Sequence, residues 1–168
     1  WSLNGSHFKT SDPQSLPKGL IGIELKTHEL GTKISVVEGV NLTGIKPDEA
    51  GISTSDTGIF REYTFELAEG DTIELQKVVA ITHINELQEP LNQGQEMVIT
   101  ALQRGYQKLW EAHQKHWEAF WDISDIQIAG NLEDQVLIRF NLYQAFIATP
   151  THANLPVGAR GLSCQVYQ

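Results

Sequence analysis

The chain has 168 residues and a formal net charge of -9, with 40% hydrophobic, 8% aromatic and 20% charged residues, a mean hydropathy of -0.24 and a pI near 5.0. That composition supplies a packed core and excludes a low-complexity or disordered chain. The acidic balance argues against DNA or RNA, which are bound through basic surfaces, and no apolar run approaches the ~20 residues of a membrane-spanning helix.

The first residue is Trp1, and no basic stretch followed by an apolar run marks a signal peptide, so the start reads as cut from something longer. Up to Pro90, short β-branched and alternating runs lie between turn clusters: Leu20 to Thr27, Lys33 to Leu42, Ile59 to Leu67 and Thr72 to Ile84. In Tyr63-Thr64-Phe65-Glu66-Leu67 apolar and polar residues alternate, the period of a strand with one wet face. Ala68-Glu69-Gly70-Asp71 supplies a tight reversal, after which Thr72 resumes the alternation, so a hairpin is expected between these two runs. Val78-Val79-Ala80-Ile81 is continuously apolar, as in a strand covered on both faces. Residues 1 to about 89 are therefore expected to be antiparallel β.

Beyond Pro90 the period becomes helical. Leu102, Tyr106, Leu109, His113, Trp117 and Phe120 fall on one face of a long amphipathic helix, with Trp110 and Trp121 beside them. A break at Asp122 to Asn131 contains the short extended candidate Ile126-Gln127-Ile128, and Asn131 reads as the N-cap of a second helix with Glu133 and Asp134 in its first turn. From Leu132 to Ala148 apolar residues cover most of the helix circumference, including Val136, Leu137, Phe140, Tyr143 and Ile147. Such a helix needs several neighbours, more than the residues after 131 supply, so its partners are expected beyond Gln168 or in another chain.

Chemistry is sparse. His113 and His116 are three apart on a helix, but no Asp, Glu or Cys stands where it would complete a tetrahedral metal set, so a structural role outweighs a metal site. Asp122 and Asp125 could be taken for the acid/base pair of a glycosidase, yet Asp at a helix exit more often bonds local backbone. Trp110, Trp117, Phe120 and Trp121 suggest a sugar-stacking platform, although at helical spacing such a set is more often core. No phosphate loop, nucleophile elbow or Cys/His nucleophile is present. The single cysteine, Cys164, leaves no internal disulfide and fits a reducing compartment. Neither metal nor cofactor is expected.

The run Trp117-Glu118-Ala119-Phe120-Trp121-Asp122-Ile123-Ser124-Asp125-Ile126-Gln127-Ile128-Ala129-Gly130, followed by Gln135, by Arg139-Phe140-Asn141-Leu142-Tyr143-Gln144 and by Gly158-Ala159-Arg160-Gly161-Leu162-Ser163, resembles glycoside hydrolase family 65. The pattern ends at Tyr167, and the β region resembles the family's N-terminal sandwich more loosely, through the Gly70 turn and the strand at Val78-Val79-Ala80-Ile81-Thr82. The resemblance implies an α+β chain with three parts. Residues 1–89 would be the C-terminal part of an antiparallel β-sandwich, 90–125 a helical linker, and 126–168 the start of an (α/α)6 catalytic barrel.

It also implies inverting chemistry on α-linked glucosyl disaccharides, in which one glutamic acid protonates the glycosidic oxygen and phosphate or a base-activated water attacks. In the family that acid and the phosphate-binding residues follow the position of Tyr167, so this piece alone is expected to be inactive. Arg160, Gly161, Leu162 and Tyr167 are the candidate substrate-binding residues, as indirect shapers of the −1 subsite. Ser163-Cys164-Gln165-Val166 departs from the Thr-Gly-Glu-Gly-like stretch of many relatives, which points to a different loop shape and substrate preference. The partners implied are the disaccharide and, for a phosphorylase, inorganic phosphate as co-substrate, with a homodimer as the candidate assembly. A cytoplasmic location is expected, or a periplasmic or secreted one for a hydrolytic member. The contrasting reading is a non-catalytic β-sandwich that binds carbohydrate or protein and uses the helices as a docking arm.

Overall fold

The computed structural model describes residues 8–56, 58–84, 87–150 and 157. In chain order the elements are β1 (Phe8–Leu16), a single 3-10 turn at Pro17–Gly19, β2 (Leu20–Thr27), β3 (Lys33–Gly44), β4 (Glu49–Ser55), β5 (Gly58–Thr64), β6 (Ile73–His83), α1 (Pro90–Ser124) and α2 (Leu132–Ala148). Antiparallel sheets followed by two helices make the chain α+β. Its residues form two compact units divided between Leu109 and Trp110.

In the first unit β1, β2, β3 and β6 form a four-stranded antiparallel sheet in that order, and β4 pairs with β5 in a separate two-stranded sheet. The side-chain period of two divides the larger sheet into faces. Leu20, Gly22, Ser35, Val37, Gly39, Ala80 and Thr82 lie on one face, all buried, and the first stretch of α1 packs against it through Leu91, Val98, Ile99 and Leu102. Val37 and Val98 are fully buried, each contributing about 1.5–3 kcal/mol.

The approach is close because glycines stand where the two layers meet. A Cβ on Gly39 would lie 2.7 Å from Leu20 Cδ2, 2.7 Å from Val98 Cγ1 and 2.8 Å from Leu102 Cδ1, and one on Gly94 would lie 3.1 Å from Val37 Cγ2. At the start of the helix the buried hydroxyl of Thr82 donates to the carbonyl of Pro90 at 2.8 Å, giving a polar atom in an apolar seam its partner.

The opposite face carries Glu38, to which Arg61 of β5 donates through Nε at 3.0 Å. Arg61 also donates through Nη2 to the Gly19 carbonyl at 2.7 Å. These bonds tie the small sheet to the larger one, and the pair is largely withdrawn from solvent, at 12% and 16% side-chain exposure.

Three expectations from the sequence are corrected. The run 59–67 does not form a hairpin with the run 72–84: β5 pairs with β4 and β6 with β3. The Ala68–Asp71 reversal exists, closed by Asp71 N–H to the Ala68 carbonyl at 3.1 Å and by Ala68 N–H to Asp71 Oδ2 at 2.8 Å, but it redirects the chain to another sheet. Val78–Ile81 is not covered on both faces, since Val79 and Ile81 are exposed while Ala80 is buried.

Strands β1 and β4 escaped notice because Pro13 and the Gly, Ser and Thr of β4 weaken the pattern. Pro13 sits on an edge strand beside a register shift between Thr10 and Pro13, the position in a sheet that tolerates a missing N–H. Finally, the stripe from Leu102 to Phe120 does not lie along one unbroken helix, because α1 is interrupted at Gly105.

Replacing Gly39 by Val is expected to cost about 1–3 kcal/mol by overpacking the helix–sheet seam. Thr82→Val, which removes the buried hydrogen bond from Thr82 to the Pro90 carbonyl, should cost about 0.5–1.5 kcal/mol. Urea melts of both variants beside the parent chain measure these losses, and an unchanged midpoint for Gly39→Val would contradict the packing described.

Candidate functional site

Arg160, Gly161, Leu162 and Tyr167, together with Cys164, lie outside the described residues. The structure describes instead the helical framework that leads toward them, in the second unit.

The contact between its two helices is aromatic. Trp117 lies 5.3 Å from Tyr143 and 5.2 Å from Phe146 between ring centroids, and Phe120 lies 4.2 Å from Phe146. Trp121 stands 4.9 Å from Phe120 and completes the cluster. The helical period places Trp117 and Phe120 on one side of α1, where Tyr143 and Phe146, three apart on α2, meet them. Edge and offset geometries of this kind add to simple area burial.

The two histidines belong to the same arrangement: His113 stacks on Trp110 at 5.6 Å and meets Trp117 at 6.2 Å, while His116 meets Phe146 at 5.8 Å. Among the described residues no group of three or more His, Cys, Asp or Glu could hold a metal ion.

The turn between the helices is held by three polar clamps. Asn131 caps α2, its Oδ1 accepting from Glu133 N–H at 3.0 Å, with Glu133 and Asp134 in the first turn. Gln135 reaches back to the extended segment: its Oε1 accepts from Ile128 N–H at 2.7 Å and its Nε2 donates to the Ile126 carbonyl at 2.8 Å. One side-chain amide thus serves a donor and an acceptor of irregular backbone, as a neighbouring strand would. Arg139 donates through Nε and Nη2 to Asp125 Oδ1 and Oδ2 at 2.8 and 2.6 Å, the two-pronged geometry that only a guanidinium supplies.

Sequence reasoning expected Asp125 to bond nearby backbone, and this is corrected: its carboxylate engages Arg139, fourteen positions along the chain. The hydrogen bond from Arg139 comes first in holding the Asp125 carboxyl below its ordinary value of 3.8, and in return Asp125 raises the guanidinium. With both oxygens taken by Arg139, the Asp125 carboxylate serves to hold the turn.

α2 contains no buried residue, and Leu132 is 74% exposed, with Val136, Leu137 and Phe140 also open. Its apolar circumference is real and largely uncovered by the described residues. Elsewhere, a polar hollow of about 810 Å³ lies against β4 and β5, lined by Glu49, Gly51, Glu62 and Tyr63 among others.

Because the folded value of Asp125 is depressed, its pair with Arg139 stabilises above the ordinary carboxyl range and the contribution disappears as pH falls through the folded value. A carboxyl-detected NMR titration should find Asp125 with a midpoint below 3.8, and Arg139→Gln should move it back up.

A family model described as "Glycosyl hydrolase family 65, N-terminal domain" matches residues 1–120. Over 168 residues, the whole of its own length, the chain is 34% identical to the 1,2-alpha-glucosylglycerol phosphorylase of Bacillus selenitireducens, of which it covers 21%. It is 29% identical over 177 aligned residues to the kojibiose phosphorylase of Halothermothrix orenii, covering 96% of this chain and 22% of that protein. To the nigerose phosphorylase of Lachnoclostridium phytofermentans it is 28% identical over 149 residues, covering 88% of this chain and 20% of that protein. The chain thus spans about a fifth of the length of these curated relatives. With that model matching residues 1–120 of its 168, the chain belongs to glycosyl hydrolase family 65.

Proposed function

We propose that the chain is part of an inverting glycoside phosphorylase or hydrolase acting on α-linked glucosyl disaccharides, and that residues 1–168 do not turn over substrate by themselves. The observation that carries this reading is the similarity to a glucosylglycerol phosphorylase along the whole chain, helices included. A protein that used only the β region would gain nothing from that likeness beyond it. In the phosphorolytic form, inorganic phosphate attacks the anomeric carbon from the face opposite the leaving sugar while a carboxylic acid protonates the departing oxygen. In the hydrolytic form, water takes the place of phosphate.

The division of labour follows. Residues 1–89 are the C-terminal part of the sandwich, 90–125 the linker and 126–168 the opening of an (α/α)6 barrel. The uncovered apolar sides of α2 support that assignment, because a barrel helix meets neighbours on several sides. Arg160, Gly161, Leu162 and Tyr167 shape the −1 subsite from the loop after α2, indirectly, by backing the segment that holds the sugar. The candidate assembly is a homodimer, in the cytoplasm for a phosphorylase and in the periplasm or outside the cell for a hydrolytic member. No helix among the described residues is long and apolar enough to cross a membrane.

Consumption of phosphate or release of glucose is followed with maltose, trehalose, kojibiose and nigerose, with and without inorganic phosphate, for this chain and for the longer protein that contains it. The longer protein is expected to consume at least one disaccharide, faster with phosphate if it is a phosphorylase. This chain is expected to consume none, and turnover by it would place the acid among residues 1–168 and overturn the reading. Saturable binding of a disaccharide by this chain, with no turnover by the longer protein, would favour a carbohydrate-binding module.

A further inference from the structure

α1 runs from Pro90 to Ser124, yet at Gly105 the backbone adopts φ 76 and ψ 160. Glycine reaches that conformation freely, and residues with a Cβ essentially do not. The interruption is tied into the fold on its sheet side. In an unbroken helix the Leu102 carbonyl would accept from the N–H of residue 106. Here Asn41, from β3, donates to it through Nδ2 at 3.4 Å, so a carbonyl at a helix end finds a partner outside the helix.

The position is equally telling. The two compact units divide between Leu109 and Trp110, about one turn past the break. Gly39 is a glycine because neighbouring side chains would meet a Cβ, whereas a Cβ at Gly105 would meet nothing within 4 Å. What requires glycine at 105 is the backbone conformation.

From this combination we propose that Gly105 is a hinge, a joint at which residues 106–124 change direction relative to residues 90–104. Glycine has no Cβ to oppose a change of φ and ψ, and the first stretch of helix keeps its contacts with the sheet and its Asn41 cap throughout. Hinges in other proteins are likewise a few residues, at the ends of elements, that absorb the dihedral change. The proposal concerns motion in the chain and stands independently of which reaction the longer protein performs.

The test is a distance measurement by double electron–electron resonance on the full chain, with Cys164→Ser removing the native thiol. Nitroxides at Glu96→Cys and Glu118→Cys, both exposed, lie on either side of the joint. A pair at Glu96→Cys and Ser53→Cys, inside the first unit, gives the width of a fixed distance. The spanning pair is expected to show a broader or multiple distribution than the fixed pair. Gly105→Ala, confined to negative φ, should narrow it to one population while leaving the fixed pair unchanged. A spanning distribution as narrow as the fixed one overturns the hinge, and this outcome is read from the parent chain whether or not Gly105→Ala folds. A broad distribution that a folded Gly105→Ala leaves unaltered also overturns it, by locating the motion elsewhere.

Discussion

The first unit depends on how closely one helix approaches one sheet face. Gly39 and Gly94 remove the Cβ atoms that would hold the layers apart, and Val37 and Val98 then fill the seam completely. Close packing of this kind is unforgiving, because interiors at crystalline density have no slack for an added methyl group. The hydroxyl of Thr82 and the carbonyl of Pro90 fix where the helix begins, so the helix has both a lateral position and a starting point. The pair Arg61–Glu38 works on the other face of the same sheet and ties in β5. Removed from most of the solvent, it behaves less like a surface ion pair than like a paired buried charge, for which loss of one partner matters more than the pair's net worth.

The second unit is organised on other principles. Its helices meet through aromatic rings, Trp117 and Phe120 against Tyr143 and Phe146, and its turn is secured by polar groups exposed at the surface. Gln135 and Arg139 lie on the same side of α2, four apart, and both reach back to the segment 125–128. The hydrophobic contact sets the distance between the helices, and the directional bonds set the path of the chain between them. This division suits a turn that carries no core of its own. It also accounts for Asp125 being a structural carboxylate where the sequence allowed a catalytic one.

Legibility differed along the chain for identifiable reasons. Strand β2 was readable over its full extent, and β3 except for its last two residues, because their β-branched runs are bounded by turn clusters. The Asn131 cap was readable because capping is local, a side chain meeting an N–H two residues on. Strand pairing was not: the 59–67 and 72–84 runs look like a hairpin by spacing, but partners are chosen by which strand is at hand, and β4 had been hidden by its Gly, Ser and Thr. The bond between Asp125 and Arg139 spans a turn and most of two helical turns, too far for a local pattern to reveal. For the residues resembling a subsite, Arg160, Gly161, Leu162 and Tyr167, the sequence alone speaks.

By itself the sequence determined where strands give way to helices and the family, since periodicity, caps and motif spacing are properties of neighbours along the chain. It also determined that α2 is apolar around most of its circumference, a property of composition and period. Only the tertiary structure decided which strands pair, which face of the sheet receives the helix, that the stripe from Leu102 to Phe120 is interrupted at Gly105, and which groups clamp the turn. These are set by contacts between residues distant in sequence and by a backbone conformation that only glycine adopts without cost, and neither leaves a periodic trace in the order of the residues.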